Sequence, residues 1–399
     1  MRSVFWLYLF LFVAFFDLHA QYPILTPFAI SLGAAPSFIG LMMGMYSFTH
    51  LPGNVMAGYG VDRFGSRIFI VFSLIGAGII LMLQAHVVNP WQLLILRSIS
   101  GFVLAFLSPA CLSLLARMAR DHVHQGKLMA GNGLVHTLAS VVSPAAGAYL
   151  VSQIGFVMAF QALGIGLILV GMLAWLFIQD VQESESHSSK TSAPSIPTST
   201  PAAPSEHTPA IPWRFYFMPL AIACSQGILF FELPFMADAL TSIMKTGVLF
   251  SAISLGALLT LSMLFLNQYS AYMRTWLGSF SLAILFFLLA IHWPVPLLLS
   301  LFLIGMTKGI ILPALSAHLL LLSGGARYGR IFSILSIASS IGSFIGPMIA
   351  GQLRGQLSPY FIAFLVLMTA VTLLPPGKPT SLVKKTVHST CPPSTNPTT

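Results

Sequence analysis

Charge is what this chain has least of, and acidic charge above all. Nine Asp and Glu face eighteen Lys and Arg in 399 residues, so charged side chains make up 7% of the total. A soluble domain carries about a quarter, and a water-facing surface cannot be built from so few. Composition therefore excludes an ordinary soluble domain. Cysteine is nearly absent as well: Cys111 and Cys224 fall in apolar runs and Cys391 in a polar tail, without disulfide or metal-ligand spacing. No G-x-x-x-x-G-K-[ST] loop is present to hold ATP. No nucleophile–base constellation marks an enzyme, and no cofactor or metal is implied.

What the chain has is apolar length. Hydrophobic residues make up 56% of it and Phe alone contributes 31. Runs of about 20 residues, enough to cross ~30 Å of hydrocarbon as helix, recur near 4–28, 37–60, 67–86, 90–116, 127–151, 156–178, 213–236, 247–267, 275–292, 295–320, 329–352 and 358–375. The expected fold class is an all-α membrane protein with twelve transmembrane helices. The first run, behind Arg2 and before DLHA, has the outline of a signal peptide, but losing it would break the repeat described below, so it is taken as a span. Between residues 181 and 211 the composition turns to Ser, Thr, Pro, Glu and His, too polar to bury a core. That stretch is expected to be a flexible cytoplasmic linker between an N-terminal six-helix bundle (1–180) and a C-terminal one (212–376), with residues 377–399 a disordered cytoplasmic tail.

Basic residues fix the expected orientation. With the N-terminus in the cytoplasm, fourteen of the eighteen lie on the inner side, while only Lys245 and Arg354 lie outside and Arg97 and Lys308 lie within spans. This is the positive-inside pattern. It places both termini in the cytoplasm of a multi-pass cell-membrane protein and leaves no basic stripe for nucleic acid.

The halves echo each other. Gly101 and Pro109 recur at the same separation as Gly305 and Pro313, Gly126-Lys127 before Pro144 matches Gly329-Arg330 before Pro347, and Pro23 fits Pro234. Such ordered pairs point to a duplicated six-helix unit, a plan used by secondary transporters. Between the second and third runs lies GYGVDRFGSR, with one acid, two arginines and three glycines in ten residues. A short loop there keeps the charges beside helix ends, where they can bond free backbone groups. The stretch resembles the G-x-x-x-D-R-x-G-x-R loop of the major facilitator superfamily, carried here by Gly58, Asp62, Arg63, Gly65 and Arg67. That resemblance implies a two-bundle transporter with the first, fourth, seventh and tenth spans around a central cavity that opens alternately to either side. It also implies that Asp62 meets the positive end of the eleventh span near Gly329 and latches the inner side, with Asp121 a candidate partner for Arg63 or Arg67. The second-half counterpart, NQYSAYMRTW, keeps only Arg274.

Ionisable residues inside spans are costly and stand as functional candidates. Asp17 lies ~21 Å along the first span and Arg97 ~11 Å into the fourth from the outer side, so they share a depth. Burial favours a neutral acid and a guanidinium an ionised one. The pair is either a proton-coupling site or a static bridge. Arg97 followed by Gly101 also resembles an R-x-x-x-G element of proton-coupled members. Lys308 would hold an anionic substrate group, serve a carboxylate as counter-ion, or snorkel. Glu232 is a gate residue or a solvated helix end. His19, His50, His136 and His318 lack shared metal spacing and suit hydrogen bonding; His19, two residues from Asp17, and His136 are the cavity candidates. Gly342, Gly346, Pro347 and Gly351 give the eleventh span close packing and a bend. Ala139, Ser143, Pro144, Gly147 and Ala148 resemble, with two glycines replaced, the fifth-span element of the twelve-span drug:proton antiporter branch.

The expected function is proton-coupled efflux of small amphipathic organic compounds by a monomer in the bilayer. The alternatives are import of a small organic solute or anion, and a non-transporting receptor or assembly factor. The orientation is open to a direct check on the native thiols. A membrane-impermeant maleimide should modify Cys391 in inside-out vesicles and leave it unmodified in right-side-out ones; the reverse pattern would invert the topology.

Overall fold

The computed structural model describes residues 2–118, 122–178, 213–236, 242–322 and 328–375, and those residues are helical almost throughout. Thirteen α-helices occur among them, with three short 3-10 turns. In chain order they are α1 (Arg2–Ala20), α2 (Tyr22–Ser31), α3 (Pro36–Phe64), α4 (Ser66–Gln84), α5 (Pro90–Leu104), α6 (Leu107–Arg117), α7 (His122–Phe177), α8 (Phe217–Glu232), α9 (Ile243–Ser262), α10 (Ala271–Ala290), α11 (Leu297–Leu322), α12 (Tyr328–Leu353) and α13 (Pro359–Leu373). Every apolar run expected to be helical contains helix over most of its length. The connecting segment 181–211 and the tail 377–399 lie outside the described residues.

Proline and glycine set the breaks. The first run is a bent pair, α1 and α2 meeting at 41° around Gln21. Pro23 has no N–H to give the ladder and its ring crowds the carbonyl four residues back. At the other extreme α7 runs 56 residues but turns at Gly155, whose φ of 76° only glycine adopts freely. Its two arms correspond to the fifth and sixth runs.

Among the described residues eight helical stretches, with α5 and α6 taken together, are long and apolar enough to cross a bilayer, nine with the bent α1–α2 pair counted as one. The exceptions have visible reasons. Helix α3 is 29 residues long but spends them on His50, Asn54, Asp62, Arg63 and several glycines, and α13 is 15 residues long. In lipid both depend on neighbours more than on their own apolarity.

Packing follows matching pairs in the two halves. The first arm of α7 lies on α1, as α12 lies on α8; α3 lies on α5, as α9 lies on α11; α4 lies on the second arm of α7, as α10 lies on α13. Across the halves α3 meets α12 and α9 meets α7. Glycines sit where the backbones come nearest. A Cβ on Gly101 would strike the Tyr46 carbonyl, and one on Gly305 the Ile253 carbonyl. The repeated glycines thus serve equivalent crossings. Gly147 meets Ala20, Gly342 meets Leu220, Gly346 meets Cys224, and Gly351 meets Pro36 and Gly40.

Gly305→Ala should therefore destabilise the protein by about 1–3 kcal/mol through overpacking. Gly133→Ala, with nothing within 4 Å of the added carbon, should be neutral or slightly stabilising. Thermal unfolding of the two variants in one detergent reads the difference.

Candidate functional site

A cavity of about 350 Å³ opens where α2, α3, α5, α8, α11 and α12 converge. Its wall is mixed: Tyr22, Tyr46, Gln226, Phe230, Ser339 and Ser343 stand among Leu, Ile, Met and Pro side chains, and Arg97 is the one charged residue in it. The composition suits a small amphipathic molecule. Near the end opposite the GYGVDRFGSR stretch the two halves close tightly. Gly40 lies against Pro347, Gly351 against Pro36, and Gly247 against Pro144 and Ala148.

Behind the cavity wall lies a buried polar relay. Gln21 Nε2 donates to Asp17 Oδ2 at 2.9 Å, and Arg97 Nη1 donates to Gln21 Oε1 at 2.7 Å. Asp17, Gln21 and Arg97 are 2%, 2% and 4% exposed. The acid and the guanidinium share a depth, as their positions predict, but the amide joins them instead of a direct ion pair. The bend between α1 and α2 puts Gln21 at that meeting point. The Arg97 guanidinium also lies over the Tyr46 ring, 4.7 Å from its centroid, a cation–π contact. Asp17 Oδ1 and Arg97 Nε have no hydrogen-bond partner among the described residues, so the relay holds unused capacity. Gln21 and Tyr46 were absent from the sequence reading. A buried amide four residues after Asp17 on one helix face was the available signal for Gln21.

A second cluster stands beside the first. The His19 and His136 rings are 5.2 Å apart, edge to face, and His19 Nδ1 bonds the Phe15 carbonyl at 2.7 Å. Lys308, near the middle of α11, lies 5.6 Å from the Phe230 ring centroid and within electrostatic range of both imidazoles. His19 also touches Tyr22, which lines the cavity. Glu232 lies elsewhere, away from the cavity lining. It is 7% exposed and pairs with Arg354 at 3.6 Å, while the Arg354 guanidinium stacks 3.9 Å from the Phe235 centroid. His318 packs between Phe215 and Tyr272, and His50 bonds Asn54 at 2.9 Å.

Residues 7–270 match the family model of the Major Facilitator Superfamily. The chain belongs to that superfamily. Membership supports a multi-pass membrane transporter. It is 26% identical over 159 residues to an uncharacterized MFS-type transporter of Methanocaldococcus jannaschii, a match spanning 40% of this chain and 41% of that relative. Among solved structures it is similar to a bacterial homolog of the human lysosomal transporter Spinster in its inward-facing, occupied conformation. The TM-score is 0.70 at 16% identity, with 94% of each chain covered. The unoccupied inward-facing form of that homolog gives 0.65 at 14% identity. At such identities the likeness is one of fold.

The superfamily's signature stretch is shaped differently from the expected loop. Helix α3 continues through Gly58, Asp62 and Arg63 to Phe64, and Gly65 alone, at φ 86° and ψ 162°, turns the chain into α4. A connection this short needs one residue with freedom at positive φ, and Gly65 supplies it. Gly60 makes room for the Phe69 ring, whereas Gly58 faces open space. Arg67 donates to the Trp175 carbonyl, at the free C-terminal end of α7, and lies over the Trp175 ring at 4.9 Å. Arg63 lies 5.3 Å from the Phe64 centroid. The Asp62 side chain and the whole of Asp121 lie outside the described residues.

Replacing Gln21 by Leu should leave two buried charges without their shared amide and cost about 1–3 kcal/mol. Thermal unfolding would show it, and Gln21→Glu, which supplies a direct acceptor for Arg97, should recover more stability than Leu does.

Proposed function

We propose that this transporter is a proton-coupled exporter of small amphipathic organic compounds, with Asp17 as the proton site. The observation that carries the reading is the Asp17–Gln21–Arg97 relay. It joins a buried carboxylate to the one cationic residue on the cavity wall. A proton on Asp17 removes the charge that polarises the Gln21 amide. That weakens the hold of Gln21 on Arg97 and frees the guanidinium to engage substrate. Loss of the proton draws Arg97 back. Substrate and proton then act on the same side chain and bias one equilibrium, the minimum that coupling requires.

Alternating access needs two bodies, and we take these to be bundles 1–180 and 212–376 joined by the linker, working as a monomer with twelve spans and both termini cytoplasmic. Support comes from the matched helix pairs and from cross-bundle contacts concentrated at α3–α12 and α9–α7, with smaller ones of α2 against α9 and α3 against α8. In the orientation set by the basic residues, the tight contacts at Gly40, Gly351 and Gly247 lie on the outer half. That arrangement suits an inward-facing state. The Asp62 latch proposed from the family signature would be released in it, while Arg67 keeps its anchor on α7. Gly342, Gly346 and Pro347 line a close α8–α12 crossing, and Pro144 with Gly147 the α7 crossings, where a rocking bundle would bend or slide.

Import is the second reading, favoured by the positive cavity wall at Arg97. Reconstituted vesicles separate the two. An imposed pH gradient should drive a lipophilic test compound against its own gradient, and Asp17→Asn should reduce that flux about tenfold or more, as the loss of a coupling of typical size would. Undiminished flux in Asp17→Asn would remove Asp17 from the mechanism. Substrate moving in the same direction as the proton would replace export with import.

A further inference from the structure

We infer that the Lys308, His19 and His136 cluster is a head-group subsite for an anion, so that the transported compound is an amphipathic organic anion. This rests on the transport reading above and names its substrate class. The starting point is an unbalanced charge. Lys308 sits near the middle of a 26-residue apolar helix, where an ammonium without a counter-ion is expensive. Only two of the nine acidic residues, Asp17 and Glu232, fall within the apolar runs. Both are engaged: Asp17 by Gln21, and Glu232 by Arg354. Among the described residues Lys308 meets no carboxylate and no hydrogen-bond acceptor. Its ammonium faces the Phe230 ring, and its charge is felt at both imidazoles.

Those groups do not balance it. A ring face offers a weak attraction, and imidazoles can add positive charge but never negative. The groups around the ammonium therefore leave its charge without an anion. The cluster is assembled from α1, α7 and α11, one helix pair in the first half and one helix in the second. An arrangement that costs this much in lipid and lacks an internal partner fits an external one.

The cluster is joined to the cavity. Phe230 lines the cavity and carries the Lys308 ammonium against its ring, and Tyr22 lines the cavity and touches His19. Tyr22, Phe230 and Phe250 pack together at 4.7 to 5.9 Å. Of these, Tyr22 and Phe230 belong to the cavity wall, and Phe230 also bears the ammonium. Among the described residues the cavity wall has Arg97 and no carboxylate, so it favours an anionic head group over a cationic one. An apolar body would lie along the Tyr, Phe and Leu surface while one carboxylate or phosphate head engages Lys308 with the imidazoles.

Decanoate and decyl phosphate, with decanamide and decylammonium as neutral and cationic controls, test the proposal on the full chain in nanodiscs, where no gradient exists. Both anions should raise the melting temperature, and the controls should not. Lys308→Met should weaken anion binding about tenfold or more, one charge-assisted hydrogen bond's worth, and should raise the melting temperature of the ligand-free protein. Lys308→Arg should retain binding. His19→Gln with His136→Gln should weaken it by a smaller factor. If neither anion stabilises the wild type, or if Lys308→Met binds decanoate as the wild type does, the subsite is overturned. The controls also keep the two readings apart. Anion binding without gradient-driven flux would leave the subsite and remove proton coupling. Gradient-driven flux of a cation without anion binding would do the opposite.

Discussion

Hydrocarbon offers polar groups nothing to bond, and every other feature of this protein follows from that constraint. Backbone groups are satisfied by making the chain helical. Side-chain groups are satisfied by pairing them internally, and with so few charges the pairings can be traced almost singly. Gln21 shows the principle at its clearest. It sits at a 41° bend, where a proline has already cost the helix a bond, and its amide answers a carboxylate with one end and a guanidinium with the other. A direct ion pair would need the two side chains to close on each other. The amide spans the gap and keeps both charged groups short of saturation, which leaves them able to respond to a proton or a ligand.

Without a hydrophobic force between helices in lipid, association rests on close packing. The glycines supply it. The equivalent positions Gly101 and Gly305 let one helix of each half lie against a carbonyl of its neighbour. Within a half such crossings make a rigid unit. Between halves the same device is used at Gly40, Gly247 and Gly351, mostly near one end of the helices, so closure there does not require closure at the other end. Rigid halves with localised contacts are the mechanical condition for rocking, and they arise from small residues placed at particular turns.

Much of this was legible in the sequence. Helix positions, the break between the two arms of α7 and the equivalence of the repeated glycines follow from apolar length and from proline and glycine spacing. The shared depth of Asp17 and Arg97 follows from the rise of a helix. Three things were less legible. The GYGVDRFGSR stretch looked like a loop because its charges and glycines are loop-like, yet one glycine suffices to turn the chain and the rest remains helix. Glu232 looked like a cavity or helix-end residue because its partner, Arg354, is 122 positions away, in the turn after another helix. Gln21 carries no charge, so a census of charges passed over it, although its spacing from Asp17 was visible.

The distribution of the intramembrane charges bears on how a ligand could drive movement. Asp17, Gln21 and Arg97 belong to the first half of the chain, and Lys308 belongs to the second. Neither group reaches across to pair with the other through an ion pair. A molecule whose head meets Lys308 and whose body lies beside Arg97 would touch both halves at once, and it would interact differently with each arrangement of them. Differential contact of that kind is the only way a ligand can shift a conformational equilibrium. Had Lys308 been paired with a fixed carboxylate, that link would have been permanent and insensitive to the cargo. On the proposed reading, with no carboxylate beside Lys308 among the described residues, the transported molecule would be the connection between the halves. The energetic burden of that ammonium would then be the means by which occupancy is sensed.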